Sequence, residues 1–170
     1  MARRFRGESV HKVDGKGRVS IPAPFRRVLE EGDPDWTDGL SPNMVLVYGG
    51  KSRDYFEGYT MHSMNEVDEQ ISGLPRGSRR RRALELMFSG QSVQMCVDET
   101  GRLVFSPKLR DKIGIKSEAV FVATGDTFQI WEPNAYDTYV EKLEDWIEEE
   151  VEDIDPLTLL DNTTLDGVEE

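Results

Sequence analysis

The sequence is poor in the residues on which metal sites, disulfides and membrane spans depend. It contains one cysteine, Cys96, and two histidines, His11 and His62, so neither a disulfide nor a zinc site is expected. Cys96 is expected to be a small core residue. No apolar run approaches the roughly eighteen residues that a membrane-spanning helix needs, and the basic first residues lack the apolar stretch of a signal peptide. These absences favour a cytoplasmic protein.

No arrangement of a nucleophile beside a base stands out either. The sequence therefore predicts that the chain is not an enzyme, has no catalytic residues and needs no cofactor.

The charge of the chain is distributed unevenly. The formal net charge is −12, yet residues 1–27 carry +6 and residues 132–170 carry −14. This asymmetry predicts a basic working surface and an acidic tail. Ordinary surface charge is the alternative on this observation alone. We expect residues 147–170 to be disordered, and either to shield the basic surface or to aid solubility.

An internal repeat organises the sequence. The segment Val13–Val19, VDGKGRV, recurs 84 residues later as Val97–Leu103, VDETGRL. Three flanking matches keep the same order: Phe5–Val10 with Phe88–Val93, Phe25-Arg26 with Leu109-Arg110, and Leu46–Tyr48 with Gln129–Trp131. We interpret them as two copies of one unit, at residues 5–60 and 88–146, with a helical connector at 61–87.

Each copy is expected to contain short half-buried strands around a glycine turn. Val93, Met95 and Val97 alternate with polar or small residues, as do Val19 and Ile21. Ala119–Ala123 and Thr127–Trp131 predict a second hairpin.

Helices are predicted at four places, one of them from about Ser78 to Phe88. Ser106-Pro107 should start a short helix that ends at Gly114. Longer helices are expected near Tyr55–Leu74 and after Pro133, the latter with one buried face. The fold class is therefore α+β.

Because neither copy can bury enough surface alone, the two copies should form one interleaved β-barrel core with flanking helices. A pseudo-twofold arrangement of this kind would bring both glycine-arginine loops to one side.

The motif Phe-Arg-Gly-x(6)-Asp-x-x-Gly-Arg-x-x-x-Pro at Phe5–Pro22, with a second Asp-x-x-Gly-Arg at Asp98–Arg102, resembles the MraZ family. That family has two tandem repeats of the AbrB/SpoVT type, the swapped-hairpin fold. The resemblance covers residues 5–146. It implies a DNA-binding transcription regulator, expected to be a repressor, of the division and cell-wall gene cluster that includes its own promoter. It also implies direct repeats in double-stranded DNA, nucleoid association and a homo-oligomeric ring of about eight chains.

The resemblance also assigns roles to residues of the two loops. The expected DNA contacts are Lys16, Gly17, Arg18 and Arg102. The expected supports of the turns are Asp14, Gly15, Asp98 and Gly101. Thr100 stands where the first loop has Lys16, so the second loop is expected to contact DNA less. Pairing of the two arginines with acidic groups of neighbouring subunits is the alternative.

Two further alternatives stay open. The basic run Arg76–Arg82 could grip phosphates, or could be a solvated helix start or a partner for an acidic face. The whole chain could instead be a protein-interaction scaffold or an antitoxin-like module without sequence-specific DNA binding.

Overall fold

The computed structural model describes residues 4–151 and 155–161. In these ranges the chain is a mixed α/β structure with eight strands and five α-helices. In chain order they are β1 (Glu8–Lys12), β2 (Arg18–Ser20), α1 (Ala23–Glu31), β3 (Asn43–Val47), β4 (Tyr55–Thr60), α2 (Met61–Ser72), α3 (Arg79–Glu85), β5 (Ser92–Cys96), β6 (Arg102–Val104), α4 (Pro107–Ile113), β7 (Glu118–Ala123), β8 (Thr127–Trp131) and α5 (Pro133–Glu150). A π-helical turn, Leu86–Gly90, follows α3, and a 3-10 helix spans Pro156–Asp161.

Local sequence signals explain several boundaries. The Ser106 hydroxyl accepts a hydrogen bond from the Leu109 amide at 3.3 Å, Pro107 occupies the first turn of α4, and Gly114 ends the helix at φ 72°. The predicted helix is thereby confirmed. The predicted hairpin is confirmed as well, because β7 pairs with β8 across a turn in which Gly125 has φ 84°.

Strands of the two copies interleave in the main sheet. Its order is β1-β7-β8-β4-β3-β5, and all its pairs are antiparallel. The first strand of each copy pairs with the hairpin of the other: β1 lies beside β7, and β5 lies beside β3. Exchanging the two copies leaves this order unchanged, so the sheet has pseudo-twofold symmetry about the β4–β8 pair.

The remaining two strands, β2 and β6, pair with each other in a separate antiparallel ribbon. Residues 4–151 and 155–161 thus contain an open six-stranded sheet and a two-stranded one, without a closed barrel. The predicted barrel is not confirmed, although the strands of the two copies do interleave.

One hydrophobic core joins the two copies. Val19, Phe25 and Leu29 from the first copy pack with Leu103 and Phe105 from the second, and all five are almost fully buried. Since burial of one such side chain contributes roughly 1.5–3 kcal/mol, neither copy keeps its core without the other. A smaller cluster built around Val45, Val47, Tyr59 and Met64 joins β3 and β4 to α2.

The helix predicted near Tyr55–Leu74 is wrong in its first six residues, which form β4. β4 lies between β3 and β8, where a sheet rather than a helix satisfies its backbone. Gly58 lies opposite Phe128, and a Cβ there would come within 2.3 Å of the Phe128 ring. The helix begins only at Met61, after Thr60 accepts a hydrogen bond from the Ser63 amide at 3.0 Å.

The match between Leu46–Tyr48 and Gln129–Trp131 is also wrong. β3 and β7 are the equivalent strands, because each pairs with the first strand of the other copy. The extra residues between α1 and β3 displace the spacing in the first copy. Asp33 anchors this extra segment: it is 6% exposed, and its carboxylate accepts from the Asn43 amide at 2.9 Å and the Asp35 amide at 3.0 Å.

Cys96 is exposed, and not the core residue that was expected. It ends β5, which is an edge strand of the main sheet. The next residue, Val97, points to the core and is fully buried.

The chain divides into two compact units, Met1–Pro133 and Asn134–Glu170. In the second unit, α5 continues to Glu150, so part of the segment predicted to be disordered is helical. The predicted buried face of α5 is confirmed for Tyr136 and wrong for Tyr139 and Leu143, which are about 40% exposed. The disorder predicted for residues 152–154 and 162–170 lies outside the described residues.

Candidate nucleic-acid interface

The β2–β6 ribbon has one buried and one exposed face. Val19 lies opposite Leu103, and both are buried in the core. Because side chains alternate along a strand, the neighbouring positions point outward. The outward set consists of Arg18, Ser20, Arg102 and Val104. Arg18 is opposite Val104 and Ser20 is opposite Arg102, which makes the two arginines diagonal neighbours, roughly 7–8 Å apart at their Cα atoms.

The first loop is organised by one carboxylate. Asp14 Oδ1 accepts hydrogen bonds from the amides of Lys16 at 3.0 Å and Arg18 at 2.9 Å. Asp14 Oδ2 accepts from Arg18 Nε at 2.6 Å. Through its main chain, Asp14 also accepts from the Gly17 amide at 2.9 Å and donates to the Arg18 carbonyl at 3.1 Å. The aspartate therefore sets both the turn and the direction of the arginine.

The second loop repeats this arrangement with one substitution. Asp98 Oδ1 accepts from the amides of Thr100 and Arg102, each at 2.9 Å, and from the Thr100 hydroxyl at 2.8 Å. Arg102 Nε donates to the Thr100 hydroxyl at 2.8 Å, and lies 3.6 Å from Asp98 Oδ2. The threonine thus stands between carboxylate and guanidinium, where the first loop has a direct ion pair.

The pKa of both aspartates is lowered from its usual value of 3.8, chiefly because each carboxylate accepts a hydrogen bond from the backbone amide of its arginine. Side-chain hydrogen bonds, from Arg18 to Asp14 and from Thr100 to Asp98, lower the pKa further. Both loops consequently keep an ionised aspartate at neutral pH.

Glycine is required at the fourth position of each loop. Gly17 has φ +83° and Gly101 has φ +78°, in the left-handed region that disfavours other residues. At Gly17 a Cβ would also lie 2.0 Å from the Phe105 carbonyl oxygen. Gly15 is different: its φ is ordinary and nothing lies within 4 Å of a Cβ there.

The two loops are braced by each other's copy. The Phe105 amide donates to the Gly17 carbonyl at 2.8 Å, and the Ile21 amide donates to the Gly101 carbonyl at 3.0 Å. An arginine from each helix also reaches the opposite loop. Arg26 of α1 donates to the Asp98 carbonyl at 3.4 Å, and Arg110 Nε of α4 lies 3.2 Å from the Cβ position of Gly17.

The guanidinium ends remain available at the surface. The side chains of Arg18 and Arg102 are 39% and 35% exposed, and no described residue hydrogen-bonds to their terminal nitrogens. Lys16 is exposed at the tip of the first loop. A shallow depression of about 580 Å³ lies beside the ribbon, and its charged lining residues are Lys12, Asp14, Arg18, Arg102 and Glu118. The site is a cationic, partly open β-ribbon.

Sequence reasoning identified the loop residues but not their neighbours on the ribbon or beneath it. Ser20 and Val104 on the outward face were missed, because their side depends on the β2–β6 register. Arg26, which donates to the second loop, and Arg110, which lies beside Gly17, were missed, although the repeated Phe/Leu-Arg pair was a signal for them.

The basic run Arg76–Arg82 lies outside the ribbon, and its arginines differ in their contacts. Arg81 donates to the carbonyls of Leu74 at 2.9 Å and Ser72 at 3.3 Å, at the end of α2, so it is a structural residue. Arg79, Arg80 and Arg82 are exposed, and none of these residues lines the depression beside the ribbon.

Two features are absent from the described ranges. No group of three or more histidine, cysteine or acidic side chains is placed to hold a metal ion. None of the helices there combines the length and apolar character that crossing a bilayer requires.

Fold and site together define a class of protein: an α/β chain of two interleaved copies that presents a cationic, pseudo-twofold β-ribbon. Comparison with known proteins specifies the family. The profile of the family described as "MraZ protein, putative antitoxin-like" matches residues 4–85 and again residues 87–155. The chain belongs to the MraZ family.

Individual relatives agree over nearly the whole chain. The transcriptional regulator MraZ of Ruegeria pomeroyi is 58% identical over 162 residues, which is 95% of this chain and 97% of the relative. That of Cereibacter sphaeroides is 47% identical over 175 residues, covering 97% of this chain and all of the relative. A more distant one, from Parvibaculum lavamentivorans, is 37% identical over 133 residues, or 78% of each chain. The family is one of transcription regulators, which confirms the prediction that the chain is not an enzyme.

Proposed function

We propose that this chain is a sequence-specific DNA-binding transcription regulator whose β2–β6 ribbon enters the major groove. The observation that carries the proposal is the shared outward face of Arg18 and Arg102, with their terminal nitrogens unengaged by described residues. A two-stranded β-ribbon fits the width of the major groove, and an arginine fork matches O6 and N7 of guanine.

The loop residues have different roles in the proposed contact with DNA. Asp14 holds Arg18 by its Nε, and Asp98 holds Arg102 Nε through the Thr100 hydroxyl, which leaves the terminal nitrogens of both arginines free to form a bidentate contact. Gly17 and Gly101 shape the turns, and the exposed Lys16 contacts a phosphate. Because Thr100 replaces that lysine, the second loop contributes specificity through Arg102 and less electrostatic attraction.

The resemblance to the MraZ family supports further proposals about repeat type, regulation, location and assembly. We include in the proposal an AbrB-type swapped-hairpin origin of each copy, repression of the chain's own promoter within the division and cell-wall cluster, and a cytoplasmic location on the nucleoid. We also include a ring of about eight chains on direct repeats, since one bidentate pair contributes only about 1–3 kcal/mol of discrimination. Tethering several ribbons multiplies such contacts through effective concentration.

The test is a titration of labelled duplex DNA from the region upstream of the gene, followed by fluorescence anisotropy at several salt concentrations. Arg18→Ala and Arg102→Ala should each weaken specific binding by roughly 5–150-fold, the equivalent of about 1–3 kcal/mol. Arg76→Ala, which removes an exposed arginine outside the ribbon, is the control and should change binding little. Unchanged binding by both ribbon variants would remove the ribbon from the interface.

The family description also favours a second candidate, an antitoxin-like or scaffold module that binds another protein. The same titration separates the two candidates. A regulator shows sequence preference and a steep fall of affinity with salt, whereas an interaction module shows no sequence preference.

A further inference from the structure

The pseudo-twofold axis relates two surface grooves, and the described residues fill only one of them. In the filled groove, Arg4–Gly7 runs along the β7–β8 hairpin. The Phe5 amide donates to the Gly125 carbonyl at 2.8 Å, and the Ala123 amide donates to the Gly7 carbonyl at 2.9 Å. The Phe5 ring packs edge-on against Phe25 at 5.2 Å and is 3% exposed. An extended peptide with one aromatic anchor closes this side of the core.

The equivalent groove has the same backbone hydrogen bond at one end, but the chain upstream of that bond follows a different path. The Tyr48 amide donates to the Gln91 carbonyl at 3.0 Å, the counterpart of the bond from Ala123 to Gly7. Upstream of Gln91, however, the chain turns into the π-helical segment Leu86–Gly90. Its aromatic residue, Phe88, packs against Tyr59 at 6.2 Å, in the cluster that joins β3 and β4 to α2. Phe88 therefore does not fill the position that corresponds to Phe5.

An open groove of about 590 Å³ results. Its apolar lining includes Tyr48, Val93 and Leu109. Leu109 is only half-buried, whereas Phe25, its counterpart beneath Phe5, is 1% exposed. An apolar anchor is what this groove lacks relative to its symmetry mate.

The rim of the open groove is cationic. Lys51, Lys108 and Lys112 line it, and no acidic side chain is among its described lining residues. Lys112 Nζ donates to the Gly50 carbonyl at 3.2 Å and to the Arg53 carbonyl at 2.9 Å. Gly50 is the counterpart of Gly125, the acceptor for Phe5. A lysine ammonium thus occupies the hydrogen-bonding position that a peptide amide occupies in the filled groove.

We propose that this groove binds an extended acidic peptide segment of a partner protein, with one large apolar side chain over Leu109. A peptide amide donates to the Gly50 carbonyl in place of Lys112, whose ammonium then pairs with a carboxylate of the peptide. The proposed segment shares the extended backbone and the single large apolar side chain of Arg4–Gly7, but carries acidic residues in place of its arginines. The three lysines of the open groove would repel those arginines. The inference does not depend on DNA binding.

The probe is a fluorescein-labelled peptide with the sequence Glu-Asp-Phe-Asp-Gly, titrated with the full chain and followed by anisotropy. Two controls are the same peptide with alanine for phenylalanine, and a peptide with Arg-Phe-Arg at its centre. The phenylalanine peptide is expected to bind at least about tenfold more tightly than either control, because both the anchor and its charges matter.

A charge-reversed variant tests the rim without touching the core. Lys51→Glu with Lys108→Glu changes two exposed side chains and should reverse the preference toward the Arg-Phe-Arg peptide. Lys116→Glu with Lys142→Glu makes the same charge change outside the groove and should keep the original preference. Thermal unfolding checks that both variants are folded.

Three outcomes would overturn the proposal: no binding of the phenylalanine peptide, equal binding of the alanine peptide, or an unchanged preference in the groove variant. A change in oligomeric mass caused by the groove variant alone, without peptide binding, would also overturn it and assign the groove to contacts between copies.

Discussion

At the scale of single residues, each loop depends on one aspartate and one glycine. Asp14 and Asp98 accept the same pair of backbone amides in their respective loops, two and four residues further on. The glycines are equivalent in φ but not in their surroundings, because only Gly17 lies directly against a carbonyl oxygen of the other copy. The first loop should therefore tolerate change less than the second.

Replacement of the loop glycines by alanine should destabilise the protein in a defined order. In Gly17→Ala, the alanine would have a left-handed φ and its Cβ would press against the Phe105 carbonyl oxygen. The free energy of unfolding should therefore fall by roughly 1–3 kcal/mol or more. Gly101→Ala has the same φ strain, but the nearest atom is the flexible end of Arg26 at 3.6 Å, so its effect should be smaller. Urea denaturation followed by circular dichroism measures both.

Gly15→Ala is the matched control. Its free energy of unfolding should lie within about 0.5 kcal/mol of the parent's, because Gly15 has neither backbone strain nor an atom close to the added Cβ. An equal loss of stability at Gly15 and Gly17 would contradict the role given to the Phe105 contact.

At the scale of elements, the ribbon converts two distant sequence motifs into one surface. The register that places Ser20 opposite Arg102 also places Val104 opposite Arg18. Val104 is 51% exposed and leaves an apolar position between two cations. The outward face can therefore accept a further charge without loss of core packing.

Val104→Lys should increase non-specific affinity for DNA. One added phosphate contact should steepen the dependence of log affinity on log salt by about 0.9. The new lysine would lie directly across the ribbon from Arg18. This pair of like charges should lower the free energy of unfolding by only about 0.2–1 kcal/mol. Anisotropy titrations with an unrelated duplex between low and moderate salt measure the slope. Val104→Gln is the uncharged control, and a slope that is the same in both variants would place the ribbon away from phosphates.

At the scale of the whole molecule, neither copy is a complete folding unit. Among the described strands, β7 is the only neighbour of β1 in the main sheet, and β3 is the only neighbour of β5 there. The ribbon itself contains one strand from each copy. Hydrogen bonds, core and candidate DNA interface are thus all shared between the two copies.

Separate fragments of residues 1–86 and 87–170 should consequently not fold as monomers, whereas an equimolar mixture should recover the circular dichroism spectrum of the intact chain. Sedimentation analysis alongside the spectra identifies any self-association of a single fragment. A monomeric fragment with a cooperative unfolding transition would contradict the interleaved core.

Much of the local structure could be predicted from particular residues. Ser106, Pro107 and Gly114 marked the ends of α4, and the two Asp-x-x-Gly-Arg motifs marked both loops. β4 was mistaken for a helix because its aromatic residues fit either periodicity, and its position between β3 and β8 is not encoded locally. The extra segment before β3 then displaced the repeat alignment.

The sequence by itself determined the turns, the ends of α4, the repeated loop motif and the identity of the loop cations, because each depends on residues a few positions apart. Only the tertiary structure decided which strand pairs with which, that Arg18 and Arg102 share one outward face, and that the described residues leave one of two equivalent grooves open. Those features depend on registers between segments about 80 residues apart, where pairing is selected by burial of the whole core rather than by any local pattern.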